Sequence, residues 1–129
     1  MWTQYVSETT GLATVYSGTV PALERLNLHE VCLQRDGPSV LLRFDLNKFP
    51  VSPPKKWVSQ GFNTVQISLR LLGVDDIQLS GWSSNCFIDI NLTRNDGRIR
   101  LNTINGPLLM EVTADLVLLN SISAYCNGV

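Results

Sequence analysis

Apolar and polar residues alternate with a period of two along most of this chain. The clearest run spans residues 64–71, and its apolar members occupy every second position: Val65, Ile67, Leu69 and Leu71. Alternation of this kind is typical of a β-strand that buries one face. It recurs downstream at these apolar positions: Ile77, Leu79, Ile88, Ile90, Leu92, Ile99, Leu101, Met110, Val112 and Ala114. We therefore predict a chain built mainly from strands, in which the apolar side chains of residues 65–71 share a buried face.

Short turn sequences separate these runs. They contain residues that tolerate a positive φ in hairpin turns: Asp36-Gly37-Pro38, Asn95-Asp96-Gly97 and Asn105-Gly106-Pro107. Upstream, Val31 and Leu33 are expected to pair with the run Val40–Phe44 across the first of these turns. From Phe62 onward the pattern predicts an antiparallel meander of about six strands, and two earlier strands bring the total to about eight. The predicted fold class is all-β, a sandwich-like or curled sheet that is mainly an antiparallel meander.

The N-terminal stretch and one internal loop depart from this pattern. Leu12, Val15 and Tyr16 have helical spacing, so one short N-terminal helix packed over the sheet is predicted. Residues 21–26 begin with proline, which is favoured at the first position of a helix, and we predict a single helical turn there. Residues 47–57 contain several prolines and are predicted to form an irregular loop, because proline cannot join a central β-ladder.

Length, composition and charge restrict the class of protein. The chain has 129 residues, a length typical of one domain, and we assign residues 1–129 to a single β domain. Hydrophobic residues make up 44% of the sequence and charged residues 16%, which favours a packed core over disorder. The net charge of −1 gives no long-range field that would attract a nucleic acid or an anionic membrane.

The N-terminal sequence and the cysteines predict the compartment. The start of the chain lacks the basic segment and apolar stretch of a secretory signal. The 3 cysteines are an odd number at wide spacing, which is not a disulfide framework. We therefore expect a cytoplasmic protein with reduced thiols.

Residue types used in catalysis and metal binding are few. His29 is the only histidine, and no second histidine or paired cysteines accompany it to complete a metal site. On a regular strand His29 and Glu30 would point to opposite faces, so we predict a structural or surface histidine. The segment 81–85 does not match the Gly-x-Ser-x-Gly elbow that presents a catalytic serine. Two acidic residues could in principle form a glycosidase-type pair, but no cleft is predicted to bring them together. We expect no enzyme activity, no metal and no cofactor.

Aromatic and basic residues in the predicted loops are the candidates for contact with a partner. Trp57 follows a Pro-Pro-Lys-Lys sequence, and Trp82 lies just after a predicted strand. Exposed tryptophan provides a large contact area at a low entropic cost. Either tryptophan could instead plug the open end of the sheet core. The predicted partner-binding residues are Trp82, Trp57, Lys55 and Lys56.

Several turn, aromatic and strand segments together resemble one known family. They are the following: Leu28-His29-Glu30-Val31, Arg35-Asp36-Gly37-Pro38, Arg43-Phe44-Asp45-Leu46, Pro53-Pro54-Lys55-Lys56-Trp57, Gly61-Phe62-Asn63-Thr64-Val65-Gln66 and Gly81-Trp82. With these segments the chain resembles the immunity protein 50 family of bacterial polymorphic toxin systems over nearly its whole length. The resemblance implies a small cytoplasmic protein that binds and neutralises a cognate toxin domain, and it supplies no catalytic residues. The near-neutral charge differs from the acidic surface expected of an inhibitor of a basic nuclease.

A second function class remains open at this point. A small β-barrel or sandwich could bind a small molecule without catalysis, and an enlarged apolar cavity would favour that alternative. A filled core and a toxin gene beside this one would favour immunity. An enzyme, as a third class, would need turnover without an obvious general base.

Overall fold

The computed structural model describes residues 1–128, which form strands for the most part. The elements follow one another in this order: a 3-10 helix Trp2–Tyr5, α1 Thr10–Val15, β1 Leu26–Gln34, β2 Ser39–Asp45, α2 Lys55–Ser59, β3 Thr64–Leu72, β4 Asp76–Ser80, β5 Phe87–Asn95, β6 Arg98–Ile104, β7 Leu109–Ala114 and β8 Leu116–Tyr125. The predicted all-β class with about eight strands and a short N-terminal helix is confirmed.

All 8 strands belong to one open sheet with the order β4-β7-β6-β5-β1-β2-β3-β8, and every pairing is antiparallel. We call β1, β2, β3 and β8 the first half-sheet and β4 to β7 the second half-sheet. The halves are joined by a short ladder, in which Leu26 pairs with Ile88 and Asn27 with Phe87. Strands β5, β6 and β7 form a meander, whereas β4 and β8 pair out of chain order, with β7 and β3.

The alternating residues of β3 face the core, as predicted. Val65, Ile67, Leu69 and Leu71 are fully buried. The predicted β1–β2 pairing is also confirmed, because Val31 lies opposite Leu42 and Leu33 opposite Val40. Both half-sheets contribute large, fully buried side chains to this core, among them Leu42, Phe44, Ile88, Ile99, Leu101 and Met110. A core filled from both sides is the main source of stability for such a sheet.

The N-terminal segment lies across the core and along one edge of the sheet. Leu12 of α1 is fully buried, and the indole Nε1 of Trp2 donates a hydrogen bond of 2.9 Å to the carbonyl of Pro21. Ser7 forms a parallel bridge to β8, donating to the carbonyl of Val117 and accepting from the amide of Leu119, both at 2.9 Å. One edge of the sheet is therefore partly covered by the chain itself.

Two local predictions were wrong. Residues 21–25 form no helical turn, because they are held along β5: the amide of Ile90 donates to the carbonyl of Leu23 at 2.9 Å. The irregular loop predicted over residues 47–57 ends at Pro54, the N-cap residue of α2, which begins at Lys55. The amide of Trp57 donates to the Pro54 carbonyl at 3.0 Å, so this proline supplies an acceptor to the first turn of the helix.

Turn chemistry accounts for the tightest hairpin of the second half-sheet. Asp96 and Gly97 connect β5 to β6 with φ values of +52° and +78°. Two-residue hairpins favour turns with a positive φ at both central residues, because the twist of such turns matches the twist of the flanking strands.

None of the helices in residues 1–128 has the length and apolar content that a membrane span needs.

Candidate functional site

Trp82 lies in the β4–β5 connection and is 53% exposed. The preceding Gly81 has a φ of +82°, and a Cβ there would collide with the carbonyl oxygen of Pro107. A glycine is therefore required for the β4–β5 and β6–β7 connections to approach each other. Ser83 donates a hydrogen bond of 2.9 Å to the carbonyl of Asn85, which closes the turn after the tryptophan. The connection thus holds a large aromatic side chain in solvent.

The other three predicted residues lie in α2, in the β2–β3 connection. Lys55 and Lys56 are exposed, whereas Trp57 is half-buried and packs against the core. Its ring is tilted by 44° to that of Phe49, with centroids 6.1 Å apart. Tilted aromatic pairs of this kind stabilise the packing that surrounds them. Trp57 therefore supports the position of α2, and α2 presents the two lysines to solvent together with Val58 and Ser59.

The connections that carry the two candidate regions approach each other. The β2–β3 connection, which carries the lysines, starts at Leu46 and Asn47. These residues and Phe87, the first residue of β5, line one open hollow of about 430 Å³. Among residues 1–128, no hydrogen bond, ion pair or ring contact joins Trp82 to α2. The two connections that carry the predicted residues thus meet where β2 ends and β5 begins, but the predicted residues form no single cluster within the described part of the chain.

Exposed apolar side chains accumulate at this end of the second half-sheet. We call the following residues the apolar end: Leu79, Trp82, Phe87, Ile104 and Leu109. The register brings their strand ends together, because Ser80 pairs with Leu109 and Asp89 with Ile104. Leu109 is 65% exposed. Sequence reasoning found only Trp82, although an apolar residue at an outward position of an alternating strand, as at Phe87 and Ile104, was a usable signal.

A hollow of about 480 Å³ adjoins the apolar end on the outer face of the sheet. Its lining comes from β4, β6 and β7, and it includes Leu79, Leu109 and the polar side chains of Gln78 and Glu111. Glu111 is paired with Arg100, whose guanidinium donates to Oε1 at 2.8 Å. This surface therefore combines apolar contact area with groups that form hydrogen bonds, a composition typical of protein-binding surfaces.

The outer face of the first half-sheet has a different chemistry. Asp45 is only 4% exposed, and each of the four strands supplies one member of the cluster around it. Nε2 of His29 lies 2.9 Å from Oδ2, the amide of Gln66 donates to Oδ1 at 3.0 Å, and the hydroxyl of Tyr125 donates to Oδ2. A buried carboxylate is stable only when hydrogen bonds replace its hydration. We call these residues the Asp45 cluster.

A bulge in β1 creates this arrangement and corrects the prediction that His29 and Glu30 point to opposite faces. The register with β2 shifts between Leu28 and Glu30, so the alternation of sides is interrupted. His29 then contacts Asp45 while Glu30 contacts Arg43, and both partners lie on the outer face of β2. His29 is a partly exposed residue with a structural partner, as the sequence predicted.

The Asp45 cluster affects the ionisation of its tyrosine. Burial, together with the hydrogen bond to Asp45 and the negative charge of that residue, raises the pKa of Tyr125 to about 12. The hydroxyl therefore stays protonated and continues to donate at neutral pH. Among residues 1–128 no group of three His, Cys, Asp or Glu side chains is placed to hold a metal ion. Chemically, the cluster is suited to joining four strands.

Comparisons with known proteins identify the family. The model of the family described as "Immunity protein 50" matches residues 8–125. No curated protein matches the sequence. The fold is similar to that in the "Crystal structure of an uncharacterized protein from Neisseria gonorrhoeae", with a TM-score of 0.51 and 11% identity. That match covers 78% of this chain and 91% of the other, and at such low identity it concerns the fold alone. Since the family model matches most of its length, this chain belongs to the immunity protein 50 family.

Proposed function

We propose that this protein is a cytoplasmic immunity protein that binds a cognate toxin domain of a bacterial polymorphic toxin system and neutralises it by stoichiometric binding, without catalysis. Membership of the immunity protein 50 family over residues 8–125 is the observation that carries the proposal. The fold is suited to this role, because connections on a rigid β-scaffold lose little entropy on docking.

The apolar end is the surface through which we propose that the toxin is bound, with Trp82 as its central anchor. Few residues of an interface usually supply most of its binding energy, and tryptophan is enriched among them. Leu109 and Phe87 add exposed apolar area on the neighbouring strands. Lys55 and Lys56 are exposed in the β2–β3 connection and would contact acidic groups of the toxin at the rim.

The alternative, a module that binds a small molecule, has less support. Such proteins bury their ligand in an enlarged apolar cavity. Here the inward positions are occupied by large side chains with no exposure, such as Phe44, Ile67 and Leu101. The hollows described above lie on the outer surface and are open to solvent. A filled core favours a protein that acts through its surface.

Co-expression with the toxin domain encoded by the neighbouring gene tests the proposal. Cells that produce the toxin domain alone should stop growing, and cells that also produce this protein should survive. The two proteins should co-purify in a stoichiometric complex. Equal killing with and without this protein, together with no complex on size-exclusion chromatography, would show that the proposal is wrong.

A further inference from the structure

The two edges of the sheet are not equivalent. At one edge, the backbone of Ser7 is hydrogen-bonded to β8 on both sides of Leu118. At the other edge, β4 pairs only with β7, and in the described part of the chain no segment is bonded to its second side. Unpaired N–H and C=O groups along an edge strand are a template for the addition of another strand.

The open edge is long enough and accessible enough for strand addition. β4 comprises 5 residues, Asp76–Ser80, which span about 17 Å at the usual rise per residue. Asp76, Gln78, Leu79 and Ser80 are exposed, and Ile77 is partly buried against the core. Inward packing of Ile77 holds the strand in place while its free side faces solvent.

The surroundings of β4 indicate what would pair with it. Leu79 is 42% exposed on the strand itself, and Trp82 follows two residues after the strand ends. The opposite end is acidic: Asp75 forms an ion pair with Arg98 at 3.2 Å, whereas Asp76 forms no ion pair within residues 1–128. Apolar side chains at one end and a free carboxylate at the other therefore flank the open backbone.

We infer that the toxin docks by adding an extended segment of its own chain to β4, with a basic side chain beside Asp76 and apolar side chains against Leu79 and Trp82. This inference rests on the proposed function and specifies how the partner is held. A foreign segment is favoured over a second copy of this chain, because β4 contains no basic residue and a second copy of it could not compensate the charge of Asp76. The short, acidic strand is also of the kind that resists pairing with itself.

Hydrogen–deuterium exchange distinguishes this mode from other complexes. The probe is the toxin domain encoded by the neighbouring gene, carrying a substitution that removes its toxicity. In the complex, the amides of residues 76–80 that point away from β7 should exchange at least about tenfold more slowly than in the free protein, because new cross-strand hydrogen bonds protect them. Exchange within β3 should slow only by the overall stabilisation that any bound ligand gives, so the additional protection of residues 76–80 is the diagnostic signal.

Each other outcome overturns the inference in a recognisable way. A complex without protection of residues 76–80 shows that the toxin binds elsewhere and leaves the proposed function standing. Protection that rises with protein concentration in the absence of toxin identifies a second copy as the occupant. Failure to form any complex overturns both the strand addition and the proposed function.

Two matched variants test the same edge by affinity. Leu79→Lys places a charge on β4, and Leu116→Lys places one on β8, where Leu116 is similarly exposed at 39%. Leu79→Lys should weaken toxin binding by about tenfold or more, whereas Leu116→Lys should change it by less than about threefold. Thermal unfolding of both variants checks that they fold. Equal effects of the two variants on the affinity would contradict docking at β4.

Discussion

The two half-sheets share one core but differ on their outer faces. In the first half-sheet, the outward polar side chains around the end of β2 are joined in hydrogen-bonded groups: the Asp45 cluster continues to Arg43, which donates to Gln66 at 3.2 Å and to Glu30 at 3.3 Å. In the second half-sheet, the outward positions near the ends of the strands are apolar and exposed, as at Ile104 and Leu109. Inward residues of both halves are buried in the shared core, except at the edge strand β4, where Leu79 is exposed.

The outer faces of the two half-sheets are therefore suited to different roles. Side chains that are bonded to one another across four strands have few free donors and acceptors for a partner, and they restrain the strands instead. Exposed apolar side chains around a free edge restrain nothing and gain most when a partner covers them. We therefore interpret the first half-sheet as the scaffold and the second half-sheet as the proposed binding surface. The following predictions test this division.

The largest effect is expected in the shared core. Ile67→Ala should lower the free energy of unfolding by about 2–5 kcal/mol, because it leaves a cavity under a fully buried position. Ile104→Ala, at an exposed position of the second half-sheet, should change it by less than about 0.5 kcal/mol. Urea denaturation monitored by tryptophan fluorescence measures both. A small loss for Ile67→Ala would mean that the inward face of β3 is not part of a cooperative core.

Trp82→Ala tests the proposed role of the second half-sheet in binding. The variant should retain its stability and weaken toxin binding by about 2 kcal/mol or more, chiefly through faster dissociation. Trp82→Phe keeps an aromatic ring and should lose less. Trp57→Ala should instead lower the stability, since that ring packs against Phe49 and the core. Surface plasmon resonance with the toxin domain gives the rates, and an unchanged dissociation rate for Trp82→Ala would place the anchor elsewhere.

Tyr125→Phe tests the role of the first half-sheet as a scaffold. Removing the hydroxyl takes one donor from the buried carboxylate of Asp45, and this should cost about 1–2 kcal/mol of stability. Toxin affinity should stay within about twofold of the wild type if the first half-sheet makes no contact with the partner. A marked loss of affinity in a variant that is still folded would show that the outer face of the first half-sheet also binds.

A pH titration gives the smallest of these effects. Because the pKa of Tyr125 is raised to about 12 in the folded protein, the folded state holds this proton more tightly than the unfolded state. The contribution of this group to stability is therefore complete below about pH 10, the usual pKa of tyrosine, and is lost as the pH rises toward 12. Melting temperatures of the wild type should fall more steeply over this interval than those of Tyr125→Phe. Parallel curves would mean that the cluster does not restrain the hydroxyl.

The sequence predicted correctly those features that depend on residues close together in the chain. Alternation identified β3, and Asn95-Asp96-Gly97 identified the β5–β6 hairpin, because each depends on residues that are close in sequence. Pro21 was misleading, since the contact of Leu23 with β5 overrides the preference of proline for the start of a helix. Contacts made by distant strands gave no sequence signal that we could use.

The proposed binding surface shows the same limit of sequence-based prediction. Trp82 could be proposed from its residue type and its place after a strand, but the open edge of β4 follows from the return of β8 to β3, which no local pattern specifies. Asp45 and Tyr125 are separated by 80 positions, and the bulge that turns His29 toward Asp45 interrupts the alternation on which the prediction relied. Clusters assembled from distant strands need a structure to be found.

The pairing of β3 with β8 also sets the order in which this protein can become active. The whole second half-sheet lies between these two strands in the chain, so the first half-sheet cannot be completed until Tyr125 has left the ribosome. Pairings over such long separations also fold slowly, on a timescale of about milliseconds to seconds. Under the proposed function, an incomplete nascent chain would give no protection. A cell that makes both proteins would then need folded copies of this one before the toxin domain is released.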